Sequence, residues 1–306
     1  MDLFALSGVA RIGLGLAAVG RPGYINLGRA TDLPADRTVE AMRARAHTLL
    51  SSAWDAGVRY FDVARSYGRA EEFLASWIPG HSGALVGSKW GYTYTADWTV
   101  TAEVHEVKDH SVATYDRQIL ETRALLGDHL NLYQIHSVTP DSPALTDRVL
   151  HQRLAALDVP VGFSTSGPHQ ADTIRAALAI EVDGRRLFQS VQSTWNLLEP
   201  SAGPALTEAH AAGLTVIVKE ALANGRLADP SLSAELSPAP DVVALAAALQ
   251  QPFSPIVLSG AATSAQLTSN LQAADLRLAP DHLARLTALA EPADQYWKTR
   301  SGLAWS

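Results

Sequence analysis

Short apolar runs rich in β-branched residues recur eight times along this chain, and a helical pattern of about 10–20 residues follows each of them. The runs are RIGLGLA, YFDVA, ALVGSKWG, NLYQIHSV, PVGFST, SVQSTWNLL, TVIVKEAL and SPIVLSG. Helical patterns lie near 38–56, 69–78, 112–127, 146–157, 168–180, 201–212, 241–250 and 264–274. In the first, Met42, Ala46, Leu49, Ala53 and Ala56 mark one face, and Gly57 stands where a C-cap belongs. In the last, Ser264 precedes Leu267, Leu271 and Ala274 in the same spacing. Eight β–α units in succession predict an α/β fold, a single (β/α)8 barrel domain spanning 1–306.

An open doubly wound sheet is the rival, and it usually carries GxGxxG between its first strand and first helix. Here GLGLAAVG runs on through GRPGYINLG with no helix start. No boundary-like linker divides the chain, and the SPAP stretch at 237–240 reads as a loop before one helix. With 47% hydrophobic and 18% charged residues, there is enough apolar surface for one large core. The segment 91–111 is too long for a simple connection and predicts an elaborated loop, and the C-terminal tail is expected over the barrel mouth.

Charge and cysteine content exclude whole classes. There are 24 Lys+Arg against 31 Asp+Glu, a net charge of −7 with no basic block, which argues against nucleic-acid and anionic-membrane partners. The absence of cysteine removes thiol catalysis and Cys-ligated metal. The apolar N-terminus lacks a basic n-region and is interrupted by Arg11, so it reads as a first strand rather than a targeting signal. No run approaches the roughly 18 apolar residues of a membrane span. The expectation is a soluble cytoplasmic protein.

Barrel ligands and catalysts sit at the C-terminal ends of the strands. The polar residues found there are Asp62 and Tyr67 in FDVARSYG, Lys89 in VGSK, His136 in LYQIH, Ser164 and Thr165 in GFSTS, Gln192, Lys219 with Glu220, and Ser259 with Gly260. Taken singly, each has an ordinary role: an Asp can cap a helix and a His can be a satisfied core residue. A lysine inside an apolar run is harder to dismiss, because an unpaired buried ammonium costs several kcal/mol. Asp62, Tyr67, Lys89 and His136 would converge at one mouth. His105 and His110, with Glu103, Glu106 and Asp109, lack metal-site spacing and predict no metal.

The ordered set FDVARSYG, VGSKWGY and LYQIHS, followed by VGFSTSG, SVQSTWNLLEP and SGAATSAQLTSN, resembles the aldo-keto reductase superfamily over roughly 10–275. The resemblance implies NAD(P)-dependent hydride transfer with a carbonyl or alcohol substrate. It makes Tyr67 the general acid, Lys89 the cation that lowers its pKa, Asp62 the partner of Lys89, and His136 the group that orients the carbonyl. It also implies an NADP or NAD site drawn from Gly15, Ser164, Thr165, Gln192, Lys219, Glu220, Leu222 and Arg226. Further along, Gly260, Ala261, Ala262 and Thr263 are expected to cradle phosphate or ribose, with Gln266 and Asn270 toward the adenosine. Thr165 replaces the family's Asn, and Lys219 stands where an aromatic ring usually stacks. Gly260 and Gln266 are neutral where NADPH-specific members carry cations, leaving Lys219 or Arg226 as candidate phosphate ligands. Trp90, Trp195 and Trp297 are expected in the substrate pocket, with Trp98 and Trp305 also candidates. Two other readings stay open: a barrel lyase using Lys89 as a Schiff base, and a nucleotide-binding barrel subunit with little turnover.

Overall fold

The computed structural model describes residues 3–24, 27, 30–229, 234–236, 239–253 and 255–305. Eight strands close a barrel: β1 (Ile12–Gly15), β2 (Tyr60–Asp62), β3 (Leu85–Trp90), β4 (Leu130–Val138), β5 (Val161–Thr165), β6 (Ser190–Thr194), β7 (Thr215–Lys219) and β8 (Ile256–Ser259). Every neighbouring pair is parallel, and β1 joins β8 through Leu14 opposite Ser259. Parallel strands need crossovers, and helices supply them. They are α1 (Val39–Asp55), α2 (Ala70–Trp77), α3 (Val112–Leu126), α4 (Arg148–Ala155), α5 (Gln170–Leu178), α6 (Gly203–Ala211), α7 (Pro240–Leu249) and α8 (Ser264–Leu271). The helix α1 buries Met42, Ala46, Leu49 and Ala53, the face its spacing predicts. Its start is capped by Thr38, whose side chain accepts from the Ala41 amide.

The long 91–111 segment folds into an antiparallel ribbon, Tyr92–Tyr94 against Glu106–Lys108. Two further helices, α9 (Pro280–Leu286) and α10 (Ala293–Ser301), complete the C-terminus. At the opposite end, Leu3, Phe4 and Leu6 pack on Tyr60, Leu132, Ile217 and Ile256, closing the barrel floor. Arg11, which interrupts the apolar N-terminal run, donates to the carbonyls of Leu249 at 2.8 Å and Pro255 at 3.0 Å. The SPAP stretch lies partly outside the described residues. Among the described residues, no helix is long and apolar enough to cross a membrane.

Candidate active site

The ends of β2, β3 and β4 bring Asp62, Lys89 and His136 to one mouth, with Tyr67 on the loop after β2. Lys89 is fully buried and donates to Asp62 Oδ1 and to the Val63 carbonyl, the latter at 2.9 Å. Burial still pulls its pKa below the ordinary lysine value, against the attraction of Asp62. The other Asp62 oxygen accepts from Gln192 Nε2 at 2.9 Å and Tyr60 Oη at 3.3 Å, so the carboxylate is shared by three donors. Gln192 therefore serves the carboxylate directly as well as lining the cavity.

Tyr67 is set by a close backbone approach. The Gly20 carbonyl accepts from the Arg69 amide at 2.8 Å, and a Cβ on Gly20 would lie 2.4 Å from the Tyr67 carbonyl oxygen. Only glycine admits that contact. The Lys89 ammonium lies 4.9 Å from the Tyr67 ring centroid. The expectation that Lys89 lowers the Tyr67 pKa is corrected here: burial, with the Asp62 charge, raises it well above the tyrosine value. Lys89 spends its hydrogen bonds on Asp62 and Val63, and desolvation of the phenol outweighs its charge.

His136 stands edge-on to both Tyr67 and Tyr92, with ring centroids 5.5 and 5.0 Å apart. Burial first, then Lys89 and Lys219, push its pKa well below 6.5, so the imidazole is neutral. The register between β4 and β5 shifts between Ile135 and Val138, and Ser137 adopts φ +55°. Such an irregularity re-aims strand-end side chains. Ser164 Oγ holds the turn by accepting from the Ser137 amide at 2.7 Å.

The mouth opens into a cavity of about 530 Å³. Of the expected cofactor residues, Gly15, Gln192, Lys219, Glu220 and Leu222 line it, as do Gly260, Ala261, Ala262, Gln266 and Asn270. Others turn elsewhere. Ser164 and Thr165 are fully buried, and Thr165 bonds Gln170 and Ser193 at 3.1 and 2.8 Å. Thr263 caps α8 by accepting from the Gln266 amide. Arg226 is gripped by both oxygens of Glu291 and lies off the cavity. The expected wall of tryptophans is also corrected: Trp90, Trp195 and Trp297 do not line this cavity. Trp90 packs on Tyr115 and His110, Trp195 on Phe253, and Trp297 on Tyr296, because their indoles fill the core between strands and helices. Trp98 likewise donates to the Arg37 carbonyl at 2.7 Å.

Charge takes the tryptophans' place at the mouth. Arg21, almost fully buried, donates to the Ser66 carbonyl at 2.9 Å and Glu106 at 3.0 Å. Its guanidinium lies 5.5 Å from the Tyr67 ring and 4.4 Å from Trp305, which itself stacks on His105 at 4.1 Å. Arg300 forks onto Glu220 at 2.5–3.1 Å. Lys219 donates to Thr194 at 3.0 Å, and burial lowers its pKa to about 8. Sequence reasoning did not single out Arg21, Tyr24, Ser137 or Arg300. Arg21 and Tyr24 lie in the unexplained GRPGYINLG loop, Arg300 in the C-terminal tail and Ser137 directly after His136, and none of them falls in a motif spacing. Among the described residues, no group of three His, Asp or Glu could hold a metal.

The profile of the Aldo/keto reductase family matches residues 11–235, and the chain belongs to that family. No curated protein matches it by sequence. Among solved structures it is similar to an aldo-keto reductase from Bacillus halodurans in its holo form (TM-score 0.68, 19% identity, 94% of this chain and 95% of that one). It is similar to the glycerol dehydrogenase of Gluconobacter oxydans (TM-score 0.67, 17% identity, 94% and 95%). A provisionally assigned aldo-keto reductase from Pseudomonas aeruginosa gives TM-score 0.64 at 23% identity over 89% and 95%. Identities this low carry the fold alone.

Proposed function

We propose that this aldo/keto reductase, an NAD(P)-dependent oxidoreductase of carbonyl or alcohol substrates, works through Tyr67, His136, Lys89 and Asp62. The observation that carries the assignment is Tyr67 and His136 edge-on to each other on the cavity wall, ring centroids 5.5 Å apart, with the Lys89–Asp62 pair fixed behind them.

The residues fit a nicotinamide dinucleotide. The cavity falls in the range of small-molecule sites, about 300–1,000 Å³. Its lining runs from Tyr67 and His136 past Gly15 to Gly260 and Asn270. A Cβ on Gly260 would meet nothing within 4 Å, and one on Gly15 only the Ser259 carbonyl at 3.7 Å, so these glycines leave a cradle that side chains would fill. When bound, the dinucleotide supplies the hydride in reduction or accepts it in alcohol oxidation.

The protein's own residues handle the proton. As a carbonyl is reduced, negative charge gathers on its oxygen, and the conjugate acid of that alkoxide is about as weak as water, pKa about 15.7. Tyr67 Oη supplies the proton to that alkoxide, and its raised pKa keeps the donor protonated throughout the working range. The nearby Lys89 charge stabilises the tyrosinate left behind. The neutral His136 offers a ring N–H to the carbonyl oxygen, polarising it and fixing its angle. Asp62 holds Lys89 in place and compensates its burial.

The charged mouth favours a polar, hydroxylated carbonyl over an apolar one. Arg21, Glu106, Glu220 and Arg300 all line it. The lyase reading finds no support, since the Lys89 amine is held by two acceptors and does not line the cavity. The test is aldehyde-dependent loss of reduced-nicotinamide absorbance. Tyr67→Phe is expected to cut it on the order of a hundredfold or more while leaving nucleotide binding nearly intact. A variant running at close to the parent rate removes Tyr67 from its role. Nucleotide binding without turnover of any carbonyl would favour the binding-subunit reading.

A further inference from the structure

Charged groups at the mouth come as cation–carboxylate pairs: Lys89 on Asp62, Arg21 on Glu106, Arg300 on Glu220. Lys219, the last residue of β7, shares the third pair. Its ammonium stands 4.0 Å from Glu220 Oε1, an oxygen that already accepts from Arg300, and it donates to Thr194 Oγ1 at 3.0 Å. Two cations on one carboxylate leave this cluster with a net positive charge. The ammonium is fixed 5.9 Å from the Trp297 ring centroid, and the side chain lines the cavity with 15% of its surface exposed. Its charge acts on His136, Lys89 and Asp62, the groups that handle the carbonyl. Lys219 therefore belongs to the reacting end of the cavity.

We infer that Lys219 makes the site discriminate between the redox forms of its dinucleotide, accepting the neutral reduced ring and penalising the cationic oxidised one, so that the enzyme is loaded for carbonyl reduction. The inference rests on the dinucleotide reading above. Hydride transfer needs the donor ring about 3–3.5 Å from a carbonyl carbon whose oxygen is in reach of Tyr67 and His136. That is the region where the Lys219 charge is already felt. A reduced nicotinamide is uncharged, whereas loss of hydride leaves a pyridinium, and like charges repel strongly where water is excluded. Once the carbonyl has taken the hydride and the Tyr67 proton, Lys219 faces a cation and favours its release. The groups facing Lys219 are Glu220 beside it, Arg300 from α10, and Asp62, Lys89 and His136 from β2, β3 and β4. Burial lowers its pKa to about 8, against the pull of Glu220, so the discrimination fades as pH rises through that value.

Binding, rather than turnover, provides the test. The protein is titrated by calorimetry with NADH and NAD+, with NADPH and NADP+, and with ADP-ribose, which has no nicotinamide ring. In whichever pair binds more tightly, we expect the reduced form to be favoured about tenfold or more at pH 7, about 1.4 kcal/mol. For a two-electron couple that is about 30 mV in the potential of the bound dinucleotide. The ratio should shrink between pH 7 and pH 9. Lys219→Met should lose most of the ratio and its pH dependence, mainly by binding the oxidised form more tightly. Lys219→Arg should keep the ratio at both pH values, and ADP-ribose should bind all three proteins about equally. Circular dichroism melts verify that each variant is folded. Equal binding of the two redox forms by the parent, or a parent ratio that is flat with pH, would overturn the inference. So would a ratio unchanged in folded Lys219→Met. Parallel losses of ADP-ribose and NADH affinity in that variant would make Lys219 a phosphate ligand and overturn it too. Failure of the folded parent to bind any dinucleotide would overturn the proposed function as well.

Discussion

Desolvation governs the protonation of Tyr67, Lys89 and His136 more than their charged neighbours do. His136 lies among Lys89, Lys219, Arg21 and His110, and burial adds to those charges, so its pKa is below the 6.5 of free imidazole. A depressed basic group binds fewer protons folded than unfolded, so stability falls as pH drops below 6.5 toward the folded pKa. We expect nitrogen NMR to find His136 neutral at pH 6.5, and Lys89→Met to raise its pKa because the strongest of the neighbouring charges is gone. A doubly protonated imidazole at pH 6.5 in the parent would contradict this. Lys89→Met also leaves Asp62 buried with only Gln192 and Tyr60 as donors. The loss should be about 3–5 kcal/mol in a denaturant titration. Sequence reasoning reached the identities of these residues but not the direction of the Tyr67 shift. A pKa depends on solvent exclusion around the group, and no residue spacing reports that.

Elements were legible where one face of a helix or strand is continuously apolar. All eight barrel strands and the eight connecting helices fall within a few residues of their sequence patterns. Among the elements missed are two short ribbons and the two C-terminal helices. The ribbon Glu181–Val182 with Arg185–Arg186 turns at Asp183 and Gly184, at φ +50° and +71°. That Asp-Gly turn is a recognisable hairpin signal, hidden because its strands are two residues long and polar. The helix α9 buries only Leu286, so it has almost no apolar stripe to detect. The helix α10 docks through Arg300 on Glu220, a contact between residues 80 apart. Burial drives the Glu220 pKa up, but Arg300 and then Lys219 pull it down to about 2, against 4.5 unfolded. The stabilisation is therefore full above pH 4.5 and lost as pH falls toward 2. Arg300→Ala should lower the melting temperature at pH 7 and flatten its decline between pH 4.5 and 2. Parallel acid melting curves for the two proteins would dismiss the pair as a stabilising contact.

At the scale of the whole molecule, the two ends of the barrel are closed by different chemistry. Leu3, Phe4 and Leu6 seal the floor with apolar packing. The mouth is narrowed by a stack in which His105 from the ribbon, Trp305 from the tail and Arg21 from the loop after β1 lie one on another. A cation–π contact at a partly exposed site is worth about 0.5–2 kcal/mol. Trp305→Ala should therefore cost little stability but raise KM for a hydroxylated aldehyde, since it frees Arg21 above Tyr67. An unchanged KM would show that the stack plays no part in substrate binding. The amino-acid sequence by itself pointed to the barrel, because eight β–α units recur with no dividing linker and without the GxGxxG turn of an open sheet. It also determined the four residues at the mouth, because polar groups at strand ends stand out against apolar runs. Only the tertiary structure decided which surfaces face the cavity. Trp90, Trp195 and Trp297 went to the core, and Arg21 and Arg300 to the mouth. Gln266 turned inward to Asp32, 234 residues away. Each of these depends on which neighbour a side chain meets once the sheet has closed, a property of contacts distant in sequence that local pattern does not carry.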